Sequence, residues 1–255
     1  MRVCVNYKEE HVLQVPFLLE KAFTEIKGVE VVGLDGNPEI VVNSMPWNGI
    51  AKGSKGTVYW ELDIAEVSHP ECYGQVDVVY YPSNMRKDLW TDNYKFLPMA
   101  VDFEFYHPIK KDPEYDIVYM GRMDRSYRKE YIKNLSKNFS ILNTVAERGL
   151  PTIEILSKGK CSFQISEFSN LEQRNFEYSA VVPMVLERVP DIELFTEDEH
   201  YKGFTRGNYD EFEKQIRWCC EHYDEALEMR DRMVKHLKAK HTYIHRAEQI
   251  LEDLS

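Results

Sequence analysis

No run of the sequence approaches the roughly 18–20 consecutive apolar residues that a membrane span requires. The N-terminus, MRVCVNYKEE, opens at once as a strand, without a charged leader and a long apolar stretch behind it. Both absences point to the cytoplasm. Metal-binding and redox spacings are missing too. There is no CxxC pair and no HExxH, and His241 and His245, one helical turn apart, have no glutamate between them, so no metal site is expected. The five cysteines (Cys4, Cys72, Cys161, Cys219, Cys220) are odd in number and mostly sit in apolar runs, so they read as reduced, structural residues. A cationic excess is lacking: the net charge is -11, spread along the chain and not gathered in a tail. General attraction to polyanions is therefore disfavoured, which leaves only a local basic patch able to hold one. Glycine and proline are sparse, at 12 and 11 residues, and no repeat or low-complexity tract occurs, so fibrous and disordered classes drop out.

What is present is an ordinary globular composition, 43% hydrophobic and 29% charged, in 255 residues. That length admits one large domain or two of about 100–150 residues. RVCVNY, a helical pattern over 12–26, VEVVGL and PEIVVNSM give strand, helix, strand, strand. The PWNGIAKGSKG loop, GTVYWEL, VDVVYYP, a short helix over 83–89 and KFLPMAV follow. The proline-bracketed, charged stretch DFEFYHPIKKDP reads as an interdomain linker. A second series has strands YDIVYMG, FSILN, CSFQIS and AVVPMVL, with helices over 125–138, 151–158, 171–179, 209–222 and 224–240. The terminal HTYIHRAEQILEDLS is amphipathic and separate from the helix before it. Short apolar strands alternating with helices predict parallel sheets covered on both faces, because only crossovers join parallel neighbours.

Two stretches concentrate polar chemistry. In YDIVYMGRMDRSYRKEYI a buried strand ends at Gly121 and a helix starts among Arg122, Arg125, Arg128 and Lys129. Helix-start amides and guanidinium forks are what a diphosphate needs. The alternative is a plain strand–turn–helix junction with solvent-facing arginines, since one glycine is far weaker than GxGxxG. In SNLEQRNFEYSAVVPMVLERVPDIELF, Asn170 is placed to cap a short helix carrying Arg174 and Glu177. The arginine suits a phosphate, and the paired oxygens of a carboxylate suit two adjacent hydroxyls. A solvated helix with incidental charges is the competing reading.

In these motifs the chain resembles the GT-B glycosyltransferases of the group 1-like kind, especially the spore-maturation (CgeB-type) branch. The matching segments, in the family's order, are KGTVYWELD, VDVVYYPSN, LPMAVDFEFYHP, MGRMDRSYRKE, QRNFEYSAVVPMVLERVPDIELF and HTYIHRAEQIL. The first fifty residues carry no motif. The resemblance implies an α/β fold of two Rossmann-like domains whose parallel sheets face a central cleft. Residues 1–105 would bind the acceptor and 106–240 the nucleotide-sugar donor, with 241–255 a terminal helix returning to the N-terminal domain. It also implies that Gly121, Arg122, Arg125 and Lys129 face the donor diphosphate, and that Arg174, Asn175 and Glu177 complete the donor site, the glutamate on the ribose hydroxyls. The co-substrate would be a nucleoside diphosphate-sugar, most simply a UDP-sugar, with no resident cofactor and no metal. Two departures stand out. Ser169 occupies the place of the first acid of the family's E-x7-E spacing, and Val182 and Pro183 replace a small glycine before the next strand.

The N-terminal half should hold the acceptor and any acid or base, since open parallel sheets place ligands beyond the carboxyl ends of their strands. At YWELD, Glu61 and Asp63 alternate, share one face if extended, and could orient or deprotonate an acceptor hydroxyl. An exposed strand end or a helix cap is the alternative. Trp60 and His69 are candidates for sugar stacking and for an imidazole at the acceptor. The expected reaction is sugar transfer to an acceptor hydroxyl, retaining in the resembled branch. The acceptor could be a glycan, a small molecule or a hydroxymethylated base in DNA. A GT-B epimerase or a degenerate nucleotide-binding scaffold would carry the same motifs.

Overall fold

Parallel neighbours cannot be joined by tight hairpins, so every strand-to-strand step must cross over a face of the sheet. This constraint governs the observed architecture. The structure, a computed structural model, describes residues 1–7, 14–44, 49–62, 70–83, 92–121, 126–145, 150–166 and 170–255. The chain divides into two compact units, Met1–Met99 with His241–Ser255, and Ala100–Lys240.

In the first unit, β1 (Arg2–Asn6), α1 (Gln14–Glu25), β2 (Glu30–Val31), β3 (Ile40–Asn43), β4 (Gly56–Trp60), α2 (Pro70–Tyr73), β5 (Val78–Tyr81) and β6 (Tyr94–Phe96) follow in order. The sheet order is β2-β1-β3-β4-β5-β6 with every pair parallel. Each residue of β3, β4 and β5 is buried. Such strands are covered on both faces, which explains why they read as unbroken apolar runs and not as alternating ones. Residues 84–89 of the expected short helix lie outside the described residues.

The second unit contains β7 (Tyr115–Met120), α3 (Ser126–Leu135), β8 (Ile141–Thr144), α4 (Leu150–Leu156), β9 (Gly159–Gln164), α5 (Gln173–Ser179), β10 (Met184–Glu187), β11 (Lys202–Phe204), α6 (Tyr209–Glu221) and α7 (Tyr223–Lys240). Its sheet order is β11-β10-β9-β7-β8, again all parallel. From β7 the chain moves one way to β8 and then back past β7 to β9 and β10. Right-handed crossovers therefore require α3 on one face and α4 and α5 on the other. The core agrees: Tyr131, Ile132 and Leu135 of α3 pack with Tyr119, Phe163 and Phe212 in one cluster that contains no residue of α4 or α5. Strand β11 was not anticipated. Its three residues, KGF, are too few to show a period, and only pairing with Val185–Glu187 makes them a strand.

The last helix, α8 (Tyr243–Asp253), belongs to the first unit, where it packs on α1. The chain passes between units at Met99–Ala100 and at Lys240–His241. Arg246 of α8 holds the first-unit side of both passages. Its Nε donates to Pro98 O at 2.7 Å, and its Nη2 to Met99 O at 2.9 Å and to His241 Nδ1 at 2.8 Å. Burial pulls its pKa down to about 10, so it remains charged at neutral pH and each bond is charge-assisted. Among the described residues, no helix is long and apolar enough to cross a membrane.

Within the second unit His200 and His236 stack, with ring centroids 4.4 Å apart. Thr196 N donates to His200 Nδ1 at 2.9 Å, and His236 Nε2 meets Leu194 O at 2.8 Å. Burial lowers both imidazole pKa values; at His200 the neighbouring His236, Arg232 and Lys240 add to this and Glu199 opposes it.

Two predictions follow from these contacts. Arg246→Met strands the carbonyls of Pro98 and Met99, so urea denaturation should show a loss of about 3 kcal/mol, with Arg246→Lys recovering only part because an ammonium lacks the planar fork. For the histidine pair, the unfolded chain takes up protons below about pH 6.5 while the folded imidazoles resist them. Their stabilising share is thus complete above that pH and lost as pH falls through it. Melting temperature should drop from pH 7.5 towards 5, and drop less in a His200→Gln/His236→Gln variant.

Candidate functional site

In a doubly wound sheet the crevice opens where strand order reverses, beyond the carboxyl ends of the strands. In the second unit that point lies between β7 and β9. Tyr119 stands on β7 with its ring stacked on Phe163 of β9, centroids 4.7 Å apart, and its hydroxyl reaching up to Gly121. A Cβ at position 121 would lie 2.7 Å from that hydroxyl, so the absent side chain makes room for the tyrosine. Gly121 N donates to Thr144 O at 3.2 Å, which prolongs the β7–β8 ladder. The glycine thus makes room for Tyr119, which is buried in the core cluster beneath the switch point, and its own amide is committed to the sheet.

Cations converge on this tyrosine from both sides. Arg128, on the first turns of α3, is only 4% exposed and donates from Nη2 to Ile165 O, just past β9, at 3.4 Å. Burial raises the Tyr119 pKa, while the charges of Arg128 and Arg174 pull it down. Arg174 sits at the start of α5, which follows β9. The two arginines therefore come from helices on opposite faces of the sheet, as a crossover reversal dictates, and both charges act on the same phenol.

The cap of α5 differs from expectation. Asn170 lies outside the helix, buried, and the N-cap is Glu172 in a reciprocal capping box: its carboxylate accepts from the Asn175 backbone, and Asn175 Oδ1 accepts from Glu172 N at 2.8 Å. Glu172 also accepts from Gln164 Nε2 at 2.8 Å. Asn175, expected in the donor site, is thus occupied with closing the helix start. Glu177 is 3% exposed and lies one turn beyond Gln173, whose Nε2 donates to it at 3.1 Å and to Ala100 O at 2.7 Å. These residues share a helix face because side chains four apart are neighbours.

Sequence reasoning missed Tyr119, Gln173 and an ion pair at the same end of the sheet. Glu187, at the end of β10, accepts from Arg206 Nε at 2.8 Å and Nη2 at 2.9 Å, and from Ser166 N at 3.1 Å. Arg206 also donates to Ser166 O. Tyr127 lies under both Arg128 and Arg206, 5.6 and 5.4 Å from its centroid. Tyr119 could have been picked from its spacing, two residues before a strand-ending glycine; Arg206 follows a strand too short to detect. Of the predicted cations, Lys129 is exposed on α3. Arg122 and Arg125 lie outside the described residues.

In the first unit, Trp60 is fully buried inside β4. A sugar could stack on it only if its surroundings opened, so the burial of both sheet faces overrides the stacking role read from the sequence. Glu61 follows it, 1% exposed, and accepts from Tyr59 and Tyr73 hydroxyls at 3.2 and 3.1 Å. Burial and then the Glu61 charge hold the Tyr73 phenol far above its usual pKa, so it stays a donor. The carboxylate is oriented, yet enclosed. Asp63 and His69, like Ser169, lie outside the described residues. Among the described residues no group of His, Cys, Asp and Glu is arranged to hold a metal ion.

Two all-parallel α/β units with an arginine-lined switch point are the GT-B class of glycosyltransferase fold. The chain belongs to the Glycosyl transferase-like family, which it matches over residues 104–252, more than half its length. Its fold is shared with HepE of Anabaena, solved with UDP and glucose (11% identity, TM-score 0.66, 99% of this chain and 98% of that chain). An α-glucosyltransferase solved with UDP-glucose and DNA containing an abasic site is equally similar (10% identity, TM-score 0.66, 100% and 99%). TarM matches at 11% identity and TM-score 0.63 over 85% of this chain, which spans about half of TarM, 54%. No curated protein matches the sequence significantly.

The Tyr119–Gly121 packing is directly testable. Gly121→Ala should cost about 1–3 kcal/mol through overpacking, and Tyr119→Phe in the same chain should restore much of it, read as a double-mutant cycle by thermal or urea unfolding.

Proposed function

We propose that the chain transfers a sugar from a nucleoside diphosphate-sugar, a UDP-sugar first of all, to an acceptor hydroxyl. The observation that carries this reading is that Arg128, held on Ile165 O past β9, and Arg174, at the start of α5, belong to helices on opposite faces of the second sheet and both act on Tyr119 at its switch point. Two guanidinium groups beside a protonated phenol suit a diphosphate, and in a partly water-excluded crevice such donors favour the charge that develops on the leaving group. Glu177 takes the ribose hydroxyls, held in place by Gln173. Arg122, Arg125 and Lys129 are the further cations assigned to the diphosphate. The donor site lies in the second unit, and the first unit supplies acceptor groups, with Glu61 and Asp63 as the carboxylates that orient or deprotonate the hydroxyl.

Transfer breaks the bond from the sugar C1 to the diphosphate oxygen and forms one from C1 to the acceptor oxygen. In the retaining version both events occur on one face of the sugar, and the acceptor proton passes to the departing diphosphate oxygen. That route needs no strong protein base, which accords with a Glu61 enclosed by tyrosines. Guanidinium groups neutralise the diphosphate, so the reaction proceeds without a divalent ion. Placement in the spore-maturation branch rests on the order of its motifs in this chain.

A second reading of the acceptor is a hydroxymethylated base in DNA, since an α-glucosyltransferase solved with DNA shares the fold over nearly full length. Activity on such DNA should fall steeply with salt, because phosphate contacts release counterions; activity on a glycan should not.

The donor reading is checked by thermal shift across nucleoside diphosphates, since a ligand bound by the folded state alone raises the melting point. UDP should give the largest shift. Glu177→Gln should weaken UDP about 10–100-fold, the worth of charge-assisted hydrogen bonds to the ribose, and Arg174→Ala should lower kcat about 100-fold. An unchanged UDP affinity in Glu177→Gln, with the fold intact, sinks the assignment. Absence of both transfer and donor hydrolysis with every nucleotide-sugar points instead to a scaffold.

A further inference from the structure

Just past β9 the chain is fastened group by group. Arg128 Nη2 donates to Ile165 O at 3.4 Å, Arg206 Nη2 donates to Ser166 O, and Ser166 N donates to Glu187 Oε2 at 3.1 Å. Ser166 Oγ accepts from Asn170 N at 2.9 Å and donates to Asn170 Oδ1 at 3.4 Å. Residues 166 and 170 are thereby closed on each other at the carboxyl end of the sheet, beside the switch point between β7 and β9.

Asn170 Nδ2 stands apart from this network. The residue is 1% exposed, and the nitrogen has no acceptor among the described residues. A buried amide nitrogen without a partner carries a desolvation cost that calls for an explanation. Ser162 and Ser179 also have buried hydroxyls without a partner, but they belong to β9 and α5 themselves. Of these three residues, Asn170 alone lies past the strand end, where an open parallel sheet takes its ligands.

The surroundings decide which oxygen suits it. The Arg206 charge is offset by Glu187, at 2.8 Å from Nε and 2.9 Å from Nη2, which leaves the guanidinium groups of Arg128 and Arg174 for the diphosphate. Beside two guanidinium groups, one neutral N–H adds little to the binding of a phosphate. A sugar hydroxyl both donates and accepts, so it satisfies the free end of a carboxamide in either orientation, whereas a phosphate oxygen only accepts. A nucleotide-sugar offers hydroxyls on two rings, one on each side of its diphosphate. The ribose is assigned to Glu177, and the transferred sugar remains.

We propose that Asn170 recognises the transferred sugar of the donor, its Nδ2 donating to a hydroxyl oxygen of that ring; the assignment rests on the nucleotide-sugar reading above. The last torsion of an asparagine is broad and roughly two-fold, and the bond from Ser166 Oγ is long. The carboxamide can therefore turn to an incoming oxygen while the backbone bond of Asn170 keeps the loop closed.

The test is isothermal titration of the full chain with UDP, UDP-glucose and UDP-N-acetylglucosamine. Asn170→Ala should weaken the tighter of the two sugar nucleotides about three- to tenfold, the worth of one neutral hydrogen bond, and leave UDP within about twofold. Asn170→Ser, whose hydroxyl falls short of the Nδ2 position, should give the same split and serves if the alanine variant does not fold, with melting temperature as the check on each. The proposal is overturned if UDP and the sugar nucleotide weaken by the same factor, as a structural or phosphate-binding role requires, or if neither changes. When UDP binds the wild type, either of those results counts against Asn170 alone. If UDP does not bind the wild type, the nucleotide-sugar reading fails and the assignment of Asn170 falls with it.

Discussion

The handedness of crossovers in a parallel sheet is the constraint on which the second unit depends. Because β8 lies on one side of β7 and β9 on the other, α3 and α5 must cover opposite faces. Their first turns then stand on either side of the gap between β7 and β9. Arg128 and Arg174 come from segments some 46 residues apart and from different layers, yet both charges act on the Tyr119 phenol. No local preference of either helix would achieve this.

Around that gap, side chains divide into those that build the rim and those that face it. Gly121 and Asn175 build: one clears space for Tyr119 and ties β7 to β8, the other closes the start of α5. Glu187 and Arg206 build as well, through a fork that fastens the end of β10 to the chain after β9. Under the proposed function, Arg174 and Glu177 are the residues assigned to the donor. The division matters because a polar residue already committed to two backbone groups can turn to a substrate only by abandoning them.

The two passages of the chain between units are held on a similar principle. Arg246 takes the carbonyls of Pro98 and Met99 together with His241, while Gln173 takes the next carbonyl, Ala100 O. Successive peptide groups are thus held by different units. Since Gln173 also donates to Glu177, the placement of the proposed ribose-binding carboxylate and of the passage share a single amide nitrogen.

Much of this was legible in the sequence. Runs such as YDIVYM and GTVYW are apolar at every position, which only strands covered on both faces can satisfy, so the α/β class and the element order follow from hydrophobic pattern. The polar stretches MGRMDRSYRKE and QRNFEYS also marked themselves, because charge directly after a buried strand is costly without a task. What the sequence could not decide is which member of each cluster turns inward. Arg128 is enclosed and its neighbour Lys129 exposed; Trp60 is core and not a platform; Glu172, two residues beyond Asn170, caps α5; KGF becomes a strand. Each outcome depends on strand order and on neighbours far along the chain, and burial is fixed by such long-range packing, whereas periodicity records only what lies within a turn or two.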